Sequence, residues 1–253
     1  MNNGKYYNHF VKFDFARDWI SPWRSYLAEF LGTYIFVLLA SSAAIVAADV
    51  GNVQILLTSV AIGMGLIVAM YTTVHLSGAH LNPAVTLAIW LAQKISSTLA
   101  FFYITSQILA SFAAALTVWA VFGQRVVESG LGGPTIGEEV SLPTALSIEA
   151  IATSILVFVY FATMVDRKGP ASPASLGGPA SFGPLVVGLA VLVLAIIALP
   201  ISGAALNPAR AVGPAVLANS YVGLLVWVTG PALGSLVGLL YDFVFLRRTA
   251  KNR

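Results

Sequence analysis

The phrase Ser77-Gly78-Ala79-His80-Leu81-Asn82-Pro83-Ala84-Val85 returns 125 residues later as Ser202-Gly203-Ala204-Ala205-Leu206-Asn207-Pro208-Ala209-Arg210, identical at seven of nine positions. Each copy interrupts an apolar run of membrane length. A single Asn-Pro-Ala carries little weight, because Asn-Pro is a common turn opener. Two copies inside a longer match, one in each half of a 253-residue chain, mark a duplicated unit. Interrupted apolar segments at matching places in two halves point to a substrate path near the bilayer midplane. The chain therefore reads as a membrane transport protein.

The composition agrees. Hydrophobic residues make up 58% of the chain and charged residues 9%, against roughly 25% charged in soluble domains. Tyr34 to Val46 and Leu185 to Leu199 carry no charge at all. A water-soluble fold exposing so little polarity would aggregate. The net charge of +3 does not indicate nucleic acid, because eleven of thirteen Lys and Arg lie in the tails, at Arg24 just beyond the first, at Lys94 or at Arg167-Lys168. There is no Cys, so no disulfide, thiol chemistry or Cys-ligated metal is available. The polar and aromatic residues before the first apolar run argue against a cleaved signal peptide.

Six long spans are predicted near 25–46, 54–75, 98–122, 144–165, 183–201 and 221–245. Most reach the ~20 residues a helix needs to cross ~30 Å of hydrocarbon. Each Asn-Pro-Ala opens a shorter apolar stretch, near 83–92 and 208–218. Ten residues at 1.5 Å rise cover only about 15 Å, half the bilayer. These are half-helices, with Pro in the first turn, where its missing N–H costs nothing. The division is a tail at 1–22, a first repeat at 23–122, an outer connection at 123–143, a second repeat at 144–246 and a basic tail at 247–253. Each repeat holds three helices and a half-helix.

Three spans per repeat is odd, so the second repeat inserts upside down. The charges fit: with both tails cytoplasmic, Lys94, Arg167 and Lys168 are inside, while Glu128, Glu138 and Glu139 outnumber Arg125 outside. The fold class expected is an all-α integral membrane protein with six transmembrane helices, two re-entrant half-helices and an inverted repeat. The aromatic tail at 1–22 is suited to the interface. Fourteen of the sixteen residues at 169–184 are Gly, Pro, Ala or Ser. That segment reads either as a flexible linker or as a cytoplasmic flap.

Non-helical backbone inside hydrocarbon must line water or be braced by protein. The loops before Asn82 and Asn207 would offer carbonyls to a file of water. Each half-helix would aim its positive N-terminus at the centre, with the two Asn amides there as donors. A molecule held between two donors must accept with its oxygen and relays protons poorly, while the dipole ends repel cations.

In these motifs the chain resembles the aquaporin, or major intrinsic protein, family over about residues 23–246, of microbial aquaporin or aquaglyceroporin type. Ala28 to Thr33 resembles the family's first helix, Tyr103-Ile104 and Gln107 its third, and Gly230-Pro231 with Tyr241-Asp242 its last. The resemblance implies an hourglass monomer, packed as a homotetramer with one pore per subunit, in the plasma membrane. The pore motifs are Asn82, Pro83, Ala84, Asn207, Pro208 and Ala209. Carried over by spacing, the family's constriction falls on Ile62, Ala195, Ala204 and Arg210. Strict water channels of the family usually place an aromatic and a His at the first two positions. Ile62 and Ala195 leave a wider, less polar ring. Yet Ala211 stands where the family's glycerol facilitators usually carry Asp.

Glu29 and Glu149 are read through the resemblance as braces that accept hydrogen bonds from the broken loops; a proton relay is the other reading. His75 is assigned as a loop brace, with pH sensing at the cytoplasmic mouth as its alternative. His75 and His80, five apart with no third ligand nearby, make poor metal geometry. Gly230, Gly234 and Gly238 form a small-residue face for close helix packing. The function expected is passive passage of water and small uncharged solutes such as glycerol and urea, without ions or protons. Strict water selectivity is one alternative. An ion-coupled secondary transporter is another, disfavoured because neither broken segment carries Asp or Glu. No nucleophile–base pair, phosphate loop or metal cluster suggests an enzyme, and no cofactor is implied. Water, small neutral solutes and lipid are the expected partners, with no nucleic acid.

Overall fold

The computed structural model describes residues 22–169 and 182–247. All but Pro22 and Arg247 of the two tails, and most of the 169–184 connection, therefore lie outside the described residues. The elements are α1 (Trp23–Ala47), α2 (Gln54–Ser77), α3 (Pro83–Leu91), α4 (Ser97–Phe122), α5 (Arg125–Glu128), α6 (Leu142–Tyr160), α7 (Gly183–Ser202), α8 (Pro208–Leu217), α9 (Leu224–Gly234) and α10 (Val237–Tyr241). Widened turns at Phe161–Val165 and Asp242–Leu246 extend α6 and α10. With these extensions six helical spans among the described residues are long and apolar enough to cross a membrane.

Local chemistry sets most boundaries. Ser96 and Ser141 cap α4 and α6 by accepting the N–H of Leu99 and Thr144, the standard use of an N-terminal hydroxyl. α2 and α7 both end on a left-handed glycine, Gly78 (φ 87°) and Gly203 (φ 80°). Gly203 meets a second demand. A Cβ there would lie 2.3 Å from the Thr135 nitrogen, so the outer connection packs directly on the turn. The last span is interrupted at Ser235–Leu236, between α9 and α10. The outer connection holds the short α5 and is tied to the end of α7 by Gly137 N–H donating to Ile201 O at 3.0 Å.

Glycine lets the spans approach closely. A Cβ on Gly188 of α7 would lie 2.2 Å from Ile67 of α2, and one on Gly230 of α9 2.6 Å from the Glu149 Cβ of α6. The face formed by Gly230, Gly234 and Gly238 packs within the chain, against α6, Phe161 and α3. α8 rests on α4 and α9, and α3 on α4, α6 and α10. Broad apolar flanks remain outward, including Leu31, Val68, Leu109, Ile151, Val193 and Leu225. Such flanks suit lipid or a neighbouring subunit and would be untenable in water.

Candidate functional site

The two half-helices begin at buried Asn residues. Asn82 and Asn207 are the N-caps of α3 and α8, with extended backbone and Pro next. Each side-chain oxygen caps its own helix, accepting from Ala84 N at 2.8 Å and from Ala209 N at 2.9 Å. The amide nitrogens cross over. Asn82 Nδ2 donates to Leu206 O at 2.9 Å, and Asn207 Nδ2 donates to Leu81 O at 2.8 Å. An amide nitrogen carries two hydrogens, so each Asn keeps one N–H beyond this bridge.

The loops feeding these caps are strained alike. Ala79 and Leu81 have φ of 53° and 50°, and Ala204 and Leu206 have 49° and 51°. A non-glycine residue held there costs on the order of 1–3 kcal/mol and persists only when its surroundings enforce it. Two buried carboxylates do so. Glu29 accepts from Ser77 Oγ (2.6 Å), His80 N (2.9 Å), Leu81 N (2.7 Å) and Gln107 Nε2 (2.8 Å). Glu149 accepts from Ser202 Oγ (2.6 Å), Ala205 N (2.8 Å) and Leu206 N (2.7 Å). His75 requires a correction. It is exposed and makes no hydrogen bond among the described residues, because its place near the end of α2 turns it away from the loop. Gln107, Tyr103 and Tyr160 brace that loop instead.

Side chains claim some loop carbonyls and leave others. Tyr103 and Tyr160 hydroxyls donate to Ser77 O and Gly78 O. Trp227 Nε1 and Arg210 Nη1 donate to Ser202 O and Gly203 O. The carbonyls of Ala79, His80, Ala204 and Ala205 receive no hydrogen bond among the described residues. His80 is buried, 3.2 Å from Thr86 Oγ1 and edge-on to Tyr103 and Tyr160. Ser111 of α4 donates to Ala209 O and accepts from Gly213 N at 2.8 Å. It thereby grips the first turns of α8 on either side of Arg210.

Two spaces lie near the motifs. The inner one is bordered by Ile62, Met70, His80, Asn82, Tyr160 and Asn207, and its region open to the centre of a water-sized sphere is about 20 Å³. One water needs roughly 10–15 Å³ on that measure, so this space has room for one or two waters. The outer space, about 240 Å³ on the same measure, is bordered by Gln54, Thr58, Thr135, Gly203 and Arg210. Arg210 is 1% exposed, and its Nε–H has no partner among the described residues. Ile62, Ala195 and Ala204 are buried in the main apolar core; Ile62 borders the inner space and Arg210 the outer one.

Tyr160, Trp227 and Ser111 went unnoticed in the sequence. Their signal was a polar tip inside an uncharged span, where an aromatic or hydroxyl must find an acceptor.

Six membrane spans around two half-helices that meet at their capped N-termini define a passive membrane channel. Residues 16–241 match the Major intrinsic protein family, and the chain belongs to that family. It is similar to Aquaporin NIP6-1 of Arabidopsis thaliana (34% identical, covering 87% of this chain and 68% of that one). It is also similar to Aquaporin TIP4-4 of Zea mays (34%, 88% and 87%) and to the Lens fiber major intrinsic protein of Lithobates pipiens (33%, 90% and 83%). The fold matches the aquaglyceroporin structure from Plasmodium falciparum with a TM-score of 0.77 at 22% identity, over 92% of this chain and all of that one.

Proposed function

We propose that the channel conducts water together with small uncharged solutes such as glycerol and urea, and excludes protons and other ions. One observation carries this reading: two half-helix N-termini capped by crossed Asn amides, with four unpaired loop carbonyls beside them. In hydrocarbon those carbonyls need water, and Ala79, His80, Ala204 and Ala205 supply acceptors on both sides of the centre. At the centre the spare N–H groups of Asn82 and Asn207 donate to one water oxygen. That water has both acceptor sites taken and cannot accept a hydrogen bond from its neighbours in the file, so a proton relay breaks. The two positive helix ends repel cations.

Arg210, with Ile62, Ala195 and Ala204, forms the selectivity filter. The three apolar side chains accommodate a solute's carbon edge, and the free Nε–H pairs with its oxygen. The small volume of the inner space favours a second reading, strict water selectivity. Stopped-flow light scattering on proteoliposomes decides between them. Fast osmotic shrinkage with glycerol and urea entry supports the wider filter, and shrinkage without entry supports the narrower one. Uptake driven by a Na⁺ or proton gradient would contradict both. The chain assembles as a homotetramer in the plasma membrane, with one pore per subunit and both termini cytoplasmic, which the exposed apolar flanks and the charge asymmetry support.

A further inference from the structure

Asp242 is 1% exposed at the cytoplasmic end of the last span, and the conduction mechanism above makes no use of it. Burying a carboxylate is costly unless cations and hydrogen bonds compensate. Two cations do. Lys94 Nζ lies 2.7 Å from Oδ1 as an ion pair, Oδ1 accepting no hydrogen bond among the described residues, and Arg247 Nε donates to Oδ2 at 2.6 Å. The two differ in what they are attached to. Arg247 follows Asp242 on its own helix and is 57% exposed. Lys94 belongs to the turn that closes α3, where Gln93 takes φ of 59° and Lys94 N–H donates to Ile89 O at 3.0 Å.

Half-helix α3 is thus fixed at both ends. Its N-terminus is the Asn82 cap at the centre, and its C-terminus is clamped through Lys94 to the last span. The charges fit this order, since a helix C-terminus is partly negative and favours a nearby cation. One turn earlier the same span touches α3 directly, where a Cβ on Gly238 would lie 3.0 Å from the Ala88 Cβ. The outer half-helix ends with the same backbone turn, Asn219 at φ 58° and Ser220 N–H donating to Ala215 O at 2.8 Å. Ser220 stands there in the place of Lys94, so the charged clamp is confined to the cytoplasmic half.

We propose that Asp242 is a positioning residue for conduction: acting through Lys94, it sets the depth of α3 and so the register of the Asn82 amide against Leu206 O and Asn207. A helix this short moves as one rod, so slack at Lys94 is delivered to Asn82. Arg247 neutralises the same carboxylate without holding α3.

The inference rests on water conduction by the wild type, and the test separates the two. Water flux per reconstituted channel is measured by stopped flow for wild type, K94Q, K94R, D242N and R247Q, beside thermal unfolding of each in detergent. K94Q and D242N should lower flux per channel several-fold. K94R should retain most of it, and R247Q should match wild type while losing about as much thermal stability as K94Q. Equal flux in K94Q and R247Q, or wild-type flux in K94Q with only a lower melting point, would reduce Asp242 to a stability brace and overturn the proposal. If D242N fails to fold, the three surface variants decide alone. Wild-type vesicles that shrink no faster than empty ones would instead overturn the water-pore reading.

Discussion

Asn82 and Asn207 hold each other's loops: each donates its amide to the carbonyl that precedes the other, at 2.9 and 2.8 Å. One side chain therefore caps its own half-helix, ties the opposite repeat and presents a donor to the centre. Only a primary amide combines an acceptor with two donors in so short a reach. Replacing both residues with Asp keeps the capping oxygens, and Asp is as good an N-cap as Asn. It removes every donor and places negative charge where the helix ends had made the centre positive. We expect the Asn82→Asp, Asn207→Asp double variant to reach the membrane and to pass Na⁺ or K⁺. Vesicle conductance should rise above wild type. Unchanged ion tightness would show that the amides are not the central barrier.

Arg210 contributes the only charge of the second broken segment, and its Nη1 donates to Gly203 O while its Nε has no partner among the described residues. Arg210→Val removes the fixed charge from the outer mouth. Gly203 O then faces the outer space, where water replaces the lost donor. The fold should survive and neutral solutes should still enter. Proton or small-cation leak, followed with a pH-sensitive dye inside vesicles, should increase. Equal proton tightness in Arg210→Val and wild type would place the charge filter in the half-helix termini alone.

The loop carboxylates predict a stability effect. Glu149→Gln turns one accepting oxygen into an NH₂ group facing donors, whether Ala205 N–H and Ser202 Oγ or Leu206 N–H. Each buried N–H left unpaired costs about 1–3 kcal/mol, and the left-handed Ala204 and Leu206 lose their restraint. Thermal unfolding in detergent should drop clearly for Glu149→Gln and for Glu29→Gln. A conservative change at the exposed His75 should leave it unmoved.

What the sequence revealed follows from what repeats and what stands alone. The duplicated motif and the six apolar spans were legible because each is a linear pattern. Glu29 and Glu149 were legible because a charge inside an apolar span is costly and must have a reason. The partners of the loops were not. Tyr160 reaches Gly78 O across 82 positions, Trp227 reaches Ser202 O across 25, and Ser111 reaches Ala209 O across 98. Such contacts depend on helix rotation and depth, which a nearly uniform apolar span does not encode. His75 was misplaced for the same reason. Sequence proximity put it beside the loop, but the direction of its helix face turned it outward.

The proposed filter of Ile62, Ala195, Ala204 and Arg210 carries the expectation of solute passage. Ile62, Ala195 and Ala204 are buried in the main apolar core, and Arg210 borders the outer space beside Thr58 and Thr135. Two alanines and an isoleucine occupy less volume than an aromatic, a histidine and a third side chain. A polyol needs that extra gap and an apolar wall for its carbon edge, with hydroxyls turned to Arg210. We expect measurable glycerol or urea flux in wild-type vesicles. Ile62→Phe combined with Ala195→His refills the gap and adds a polar group, so it should suppress solute flux far more than water flux. The comparison is internal to one vesicle preparation, because both fluxes are read from the same light-scattering trace. Wild-type vesicles that conduct water yet exclude both solutes would mean that the loop backbone, and not these side chains, closes the ring.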